Sequence, residues 1–144
     1  MNKVFLLSLF SLLFVLGACT NKSALVGSWK LEEIDIEKAI SIFDKEQKNF
    51  ARMMMEEAFK NVKGKMKISF VEDGKYKIET PLINGDMKSE SGTWKLSLNG
   101  KKLTLKPKTS DKEVHRILKL TSGELVMEMN QPGFGKMEMT FLKD

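Results

Sequence analysis

Leu25-Val26-Gly27-Ser28-Trp29-Lys30-Leu31 is the stretch whose reading decides the fold. Trp29 and Leu31 share one parity while Ser28, Lys30 and Glu32 share the other, the period-two alternation of a strand with one buried face. Gly27 lets the backbone enter that strand in close packing. From Lys65 onward the chain repeats the device as alternating runs separated by turn glycines. Met66, Ile68 and Phe70 lead through Glu72-Asp73-Gly74 to Tyr76 and Ile78, and a left-handed Gly74 keeps both sets on one face. Asn84-Gly85 is read as a turn pairing Leu82 with Met87. Asn99-Gly100 pairs Leu98 with Lys101, Leu96 with Leu103 and Trp94 with Leu105. Inward parity changes between Met87 and Trp94, which predicts a β-bulge or sharp bend near Gly92. Val114, Arg116, Leu118 and Leu120 are expected inward, with Leu118 facing Met127 and Arg116 facing Met129 across the Ser122-Gly123 turn. The turn at 131–135 then places Met129 beside Met137, Met127 beside Met139 and Leu125 beside Phe141.

Between the first strand and Lys65 lies a segment without Pro or Gly, 36–62, read as one long helix ended by Gly64. Its stripe is Ile36, Ala39, Ile40, Phe43, Phe50, Ala51, Met54, Ala58 and Val62. The fold class is therefore mainly β: an eight-stranded antiparallel up-and-down barrel, edge-free by closure, with one long helix between the first and second strands. The alternative is an open, curled antiparallel sheet packed on the helix.

The N-terminus carries an address. Met1-Asn2-Lys3 precedes an apolar run, 4–16, too short for a spanning helix of about 20 residues. It ends in Leu16-Gly17-Ala18-Cys19, which resembles a bacterial lipobox. The resemblance implies a lipoprotein signal peptide at 1–18, a lipidated tether at 19–24 and a barrel domain at 25–144. Cys19 would carry a diacylglycerol thioether and a further acyl chain such as palmitate, so that the membrane is a partner through the anchor. Thr20 is not the aspartate that retains such lipoproteins at the inner membrane, and no acidic run follows Cys19. The expected location is the outer membrane, facing the periplasm. As Cys19 is the sole cysteine, no intramolecular disulfide can form and the core must carry the fold.

Taken together, the lipobox, GSWKL at 27–31, DGKY at 73–76, GTWKL at 92–96 and NGKKLTLK at 99–106 resemble the lipocalin-like (calycin-type) domains of small bacterial envelope lipoproteins. The resemblance runs from Leu25 to the C-terminus. It implies a carrier of a small hydrophobic or amphipathic ligand. Candidate ligand-binding residues are Trp29, Tyr76, Trp94, Arg116, Met127, Met129, Met137 and Met139. Arg116, a cation at inward parity, is the expected receiver of a ligand's polar end, as is Tyr76. In calycins an arginine from a late strand packs on the first-strand tryptophan; Arg116, on the sixth strand, departs from that pattern. An eight-stranded barrel is either filled by side chains or just wide enough for one small ligand. The competing reading is a filled barrel that docks an envelope protein through the helix, around Ile42, Met53 and Phe59.

Other classes find less support. The four methionines are soft ligands of the kind Cu(I) takes, but no inward cysteine or histidine joins them, so no metal and no cofactor are expected. His115, the sole histidine, is read as outward, and no Ser, His and Asp set assembles; an enzyme is not expected. A net charge of +5 spread along strands reads as a solvated face, and the chain lacks a basic helix or stacking motif for nucleic acid.

Overall fold

The computed structural model describes residues 21–131 and 135–144. The signal peptide expected at 1–18, the expected lipidation site Cys19 and the centre of the last turn lie outside the described residues. Eight strands, β1 (Gly27–Asp35), β2 (Lys67–Phe70), β3 (Lys75–Pro81), β4 (Met87–Leu96), β5 (Lys102–Pro107), β6 (Glu113–Leu120), β7 (Glu124–Gln131) and β8 (Gly135–Lys143), close into a barrel. Every neighbour pair is antiparallel and β8 returns to β1, so the sheet is closed rather than open. One core fills it, from Trp29, Leu31, Ile68 and Phe70 across Trp94, Leu103 and Leu105 to Leu125, Met127, Met139 and Phe141. All of these core residues, and every described strand, lie at or after residue 25.

The helical segment between β1 and β2 is broken. α1 (Glu37–Ile40) and α2 (Lys45–Lys60) are separated at 41–44, where Asp44 takes an extended backbone and its carbonyl receives the amides of Gln47 and Lys48. The break shifts the helical phase, so the stripe read through 36–62 holds only in part beyond it: Ala51 and Val62 still pack against the core, while Phe50 and Met54 do not. Ile36, Ala39, Ile40 and Met55 join the core, whereas Phe50, at 64 % exposure, and Met54 face solvent with Ile42 and Met53.

Three other expectations need correction. No register shift occurs near Gly92: β3 and β4 pair without interruption from Lys75↔Thr93 to Pro81↔Met87. Parity is conserved because Met87 is exposed and Glu90 takes the inward position opposite Ile78. In β6 the inward set is His115 and Ile117, not Val114, Arg116 and Leu118. Arg116 pairs with Glu128 and Ile117 with Met127, and the register then slips so that Lys119 meets Val126. Leu118 is the extra residue of a bulge, which swaps parity halfway along the strand. A second slip lies in β1 between Leu31 and Glu33. The turns at Gly74 and Gly85 share one geometry, in which the glycine is left-handed and its amide bonds three residues back. Leu82 therefore meets Asp86, while Leu98 sits on the next turn instead of opposite Lys101.

Candidate functional site

The barrel has two unlike ends. At one, both tryptophans act as plugs. The Trp29 indole N–H donates to the Leu25 carbonyl at 2.7 Å, and the Trp94 indole N–H donates to the Val71 carbonyl at 2.9 Å. Trp94 also meets Phe70 edge-on, with ring centroids 5.6 Å apart. Their polar atoms are satisfied within the protein, so these two candidates belong to the seal rather than to a ligand.

Above this seal, from Tyr76 toward the opposite end or mouth, lies the chemistry. Residues Met127 and Met139 face each other, as do Met129 and Met137, and this methionine wall runs up to Ile36, Ala39 and Ile40. Thioether side chains there give an apolar surface that adapts its shape. The wall on β3, β4 and β6 is polar. The Tyr76 hydroxyl donates to Glu90 Oε1 at 3.1 Å. Burial raises the Tyr76 pKa, and Glu90 and Glu113 raise it further, so both carboxylates act on one phenol, which stays protonated. Next to it, His115 is only 5 % exposed, with Glu113 Oε2 at 3.2 Å from Nε2. The ring N–H does not point at that oxygen, and among the described residues neither His115 nitrogen completes a hydrogen bond. Burial lowers the His115 pKa, against the opposing pull of Glu113.

Arg116 is excluded from this site. It is exposed, on the outer face between Lys102 and Glu128. Arg116→Ala should change stability by no more than about 0.5 kcal/mol, measured by urea denaturation. A separate groove of about 710 Å³ lies between the end of β1 and α2. Part of its charged lining is self-paired, Arg52 with Glu37 and Lys60 with Glu57, and it shares no residue with the polar cluster.

A family model described as a lipocalin-like domain matches residues 25–127. The chain belongs to the lipocalin-like domain family. No curated protein matches it. Among solved structures, a lipocalin-like protein from Bacteroides uniformis aligns at 12% identity, covering 84% of this chain and 99% of that one, with a TM-score of 0.56. An uncharacterized protein from Bacteroides eggerthii aligns at 13% identity over 83% and 99%, with a TM-score of 0.52. Apocrustacyanin C1 aligns at 9% identity over 86% and 63%, with a TM-score of 0.51.

In this lipocalin-like domain the cation on the first-strand tryptophan comes from the last strand, and it is a lysine. The Lys143 ammonium lies 4.2 Å from the Trp29 ring centroid and donates to the carbonyls of Ala24 and Val26. Gly27 has φ +128°, a backbone conformation that residues with a side chain rarely adopt, which explains the glycine two residues before the tryptophan. Sequence reading looked for an arginine and passed over this position.

Sequence reading also missed His115, Glu90 and Glu113, and the histidine gives a pH prediction. The unfolded state takes a proton near pH 6.5 while the folded state resists it, because the folded pKa is lowered. Stability should be full above about pH 6.5 and fall as pH drops from there toward the folded value. The titratable group facing the ring is Glu113. His115→Leu should flatten thermal stability across this window and add about 1 kcal/mol at neutral pH, since a buried ring that completes no hydrogen bond among the described residues is removed.

Proposed function

We propose that the chain is a membrane-anchored lipocalin-like lipoprotein of the cell envelope that holds a small hydrophobic or amphipathic molecule at its mouth. The observation that carries this reading is the asymmetry of the barrel. One end is sealed by hydrogen-bonded tryptophans, while the other sets an inward polar cluster against four methionines. Such sites are mostly apolar with a few convergent polar groups. The site is one of binding: Cys19 is assigned to lipid, and the Glu113–His115 pair has no nucleophile among its partners.

Anchoring through Cys19 on the outer membrane would fix the orientation. Asn21 abuts the Gly100 turn at the sealed end, beside Leu98, which is 86 % exposed. The sealed end would then face the bilayer and the mouth the periplasm, so a ligand is taken from solution or from a partner protein rather than directly from the membrane.

The test is native mass spectrometry of the protein purified gently from its host's envelope. A retained small molecule, together with acylation of the N-terminal cysteine, is the expected result. An unacylated N-terminus removes the anchor. A protein that arrives empty and takes up no apolar probe removes the carrier reading. That outcome favours the second reading, docking of an envelope protein on the exposed Ile42, Phe50, Met53 and Met54.

A further inference from the structure

We infer that the molecule held at the mouth presents an amine to Glu90, Glu113 and His115, with its apolar part against the methionines. This inference rests on the carrier reading above and narrows its ligand. Arg116, the cation expected to receive the ligand's polar end, lies on the outer face.

The cluster asks for donors. Glu90 and Glu113 are acceptors when ionised, and both lie close enough to Tyr76 to disfavour its ionisation. The phenol's own proton already goes to Glu90. His115 is the informative member, because its ring is buried and its nitrogens complete no hydrogen bond among the described residues, with only the Glu113 carboxylate near Nε2. Such a group is costly to keep in a folded protein, and a partner supplied from outside would account for it. A neutral imidazole has one nitrogen free to accept, so the wall offers three acceptors of different kinds, and an ammonium carries three donors. A carboxylate head would instead bring a third negative charge to two existing ones in a partly desolvated site. Charge complementarity of this kind discriminates by repulsion as much as by attraction. The lipocalin-like domain is basic overall, so an acidic interior wall runs against its net charge.

The test uses the untagged chain from Asn21 onward, titrated at neutral pH with decylamine, decanol and decanoate by displacement of an apolar fluorescent probe. Decylamine should bind about tenfold or more tighter than decanoate. Glu113→Gln, at a half-exposed position that tolerates change, should remove most of that advantage. Because His115 is the sole histidine, its ring resonances are a direct reporter, and they should move on decylamine addition. Decanoate or decanol binding as tightly as the amine overturns the inference while leaving the carrier reading intact. Decylamine binding without any change at the His115 ring overturns it too, since the amine then sits elsewhere. Failure of all three compounds, and of the probe, overturns the carrier reading and the inference with it.

Discussion

Gly92→Ala should destabilise the protein by about 3 kcal/mol, at the upper end of overpacking changes. A Cβ built on Gly92 lies 2.1 Å from the Lys106 carbonyl oxygen and 2.8 Å from its carbon. Both are backbone atoms, so no side chain can swing aside. β4 and β5 would have to separate at the Gly92↔Pro107 pair, one residue from the Thr93↔Lys106 pair. Because the barrel is closed, that displacement passes to β3 on one side and β6 on the other. Gly85→Ala is the control. Nothing lies within 4 Å of its Cβ, and only its left-handed backbone is strained, so it should cost about 1 kcal/mol. Urea denaturation of both variants distinguishes the two kinds of glycine. Equal losses would mean that the sheet yields at β4–β5 and that close approach is not what Gly92 provides.

That glycine also shows how far the sequence could be read. A special position at 92 was legible, but as a bulge. The inference assumed that Met87 points inward, whereas Met87 and Leu82 are exposed on a hairpin at the barrel rim. Apolar residues at a rim do not report the core. The β4–β5 and β7–β8 pairings were legible because each joins two runs of unambiguous alternation across a glycine turn. Strand β6 was not, since Val114, Leu118 and Leu120 fall on one parity and Ile117 on the other. A bulge at Leu118 resolves that conflict, and only the register against β7 reveals it.

The same slip decided the site. With Arg116 inward, the interior would hold a cation and His115 would face solvent. Reversing the parity of this one segment replaces a cation by a histidine and adds Glu113, so the polarity expected of a ligand's head is inverted. Half of the candidate site was nonetheless within reach, because Tyr76 and the four methionines follow from hairpin register alone. The helix break had a signal as well: Asp44 three residues before Gln47 is the pattern of a helix start, although the Asp44 side chain makes no capping bond here.

Trp29→Ala should cost about 4 kcal/mol, a large share of the roughly 5–15 kcal/mol that holds a domain together. Trp29 is fully buried, and its removal opens a void at the sealed end that the neighbouring strands cannot close without breaking the β1–β2 and β1–β8 pairing. It also leaves the Leu25 carbonyl without its indole donor. Lys143→Ala separates this packing from the cation that covers the ring. The ammonium sits at a largely exposed position, and loss of its ring contact should cost about 0.5–1 kcal/mol. Burial lowers the Lys143 pKa, which means the fold gives up some of the ion's hydration to hold it there. If Lys143→Ala costs as much as Trp29→Ala, the seal is a clamp in which the last strand locks the segment at 24–26 over the indole. If it costs little, the tryptophan seals that end by volume alone, and Gly27 is required by its positive-φ backbone and not by the lysine.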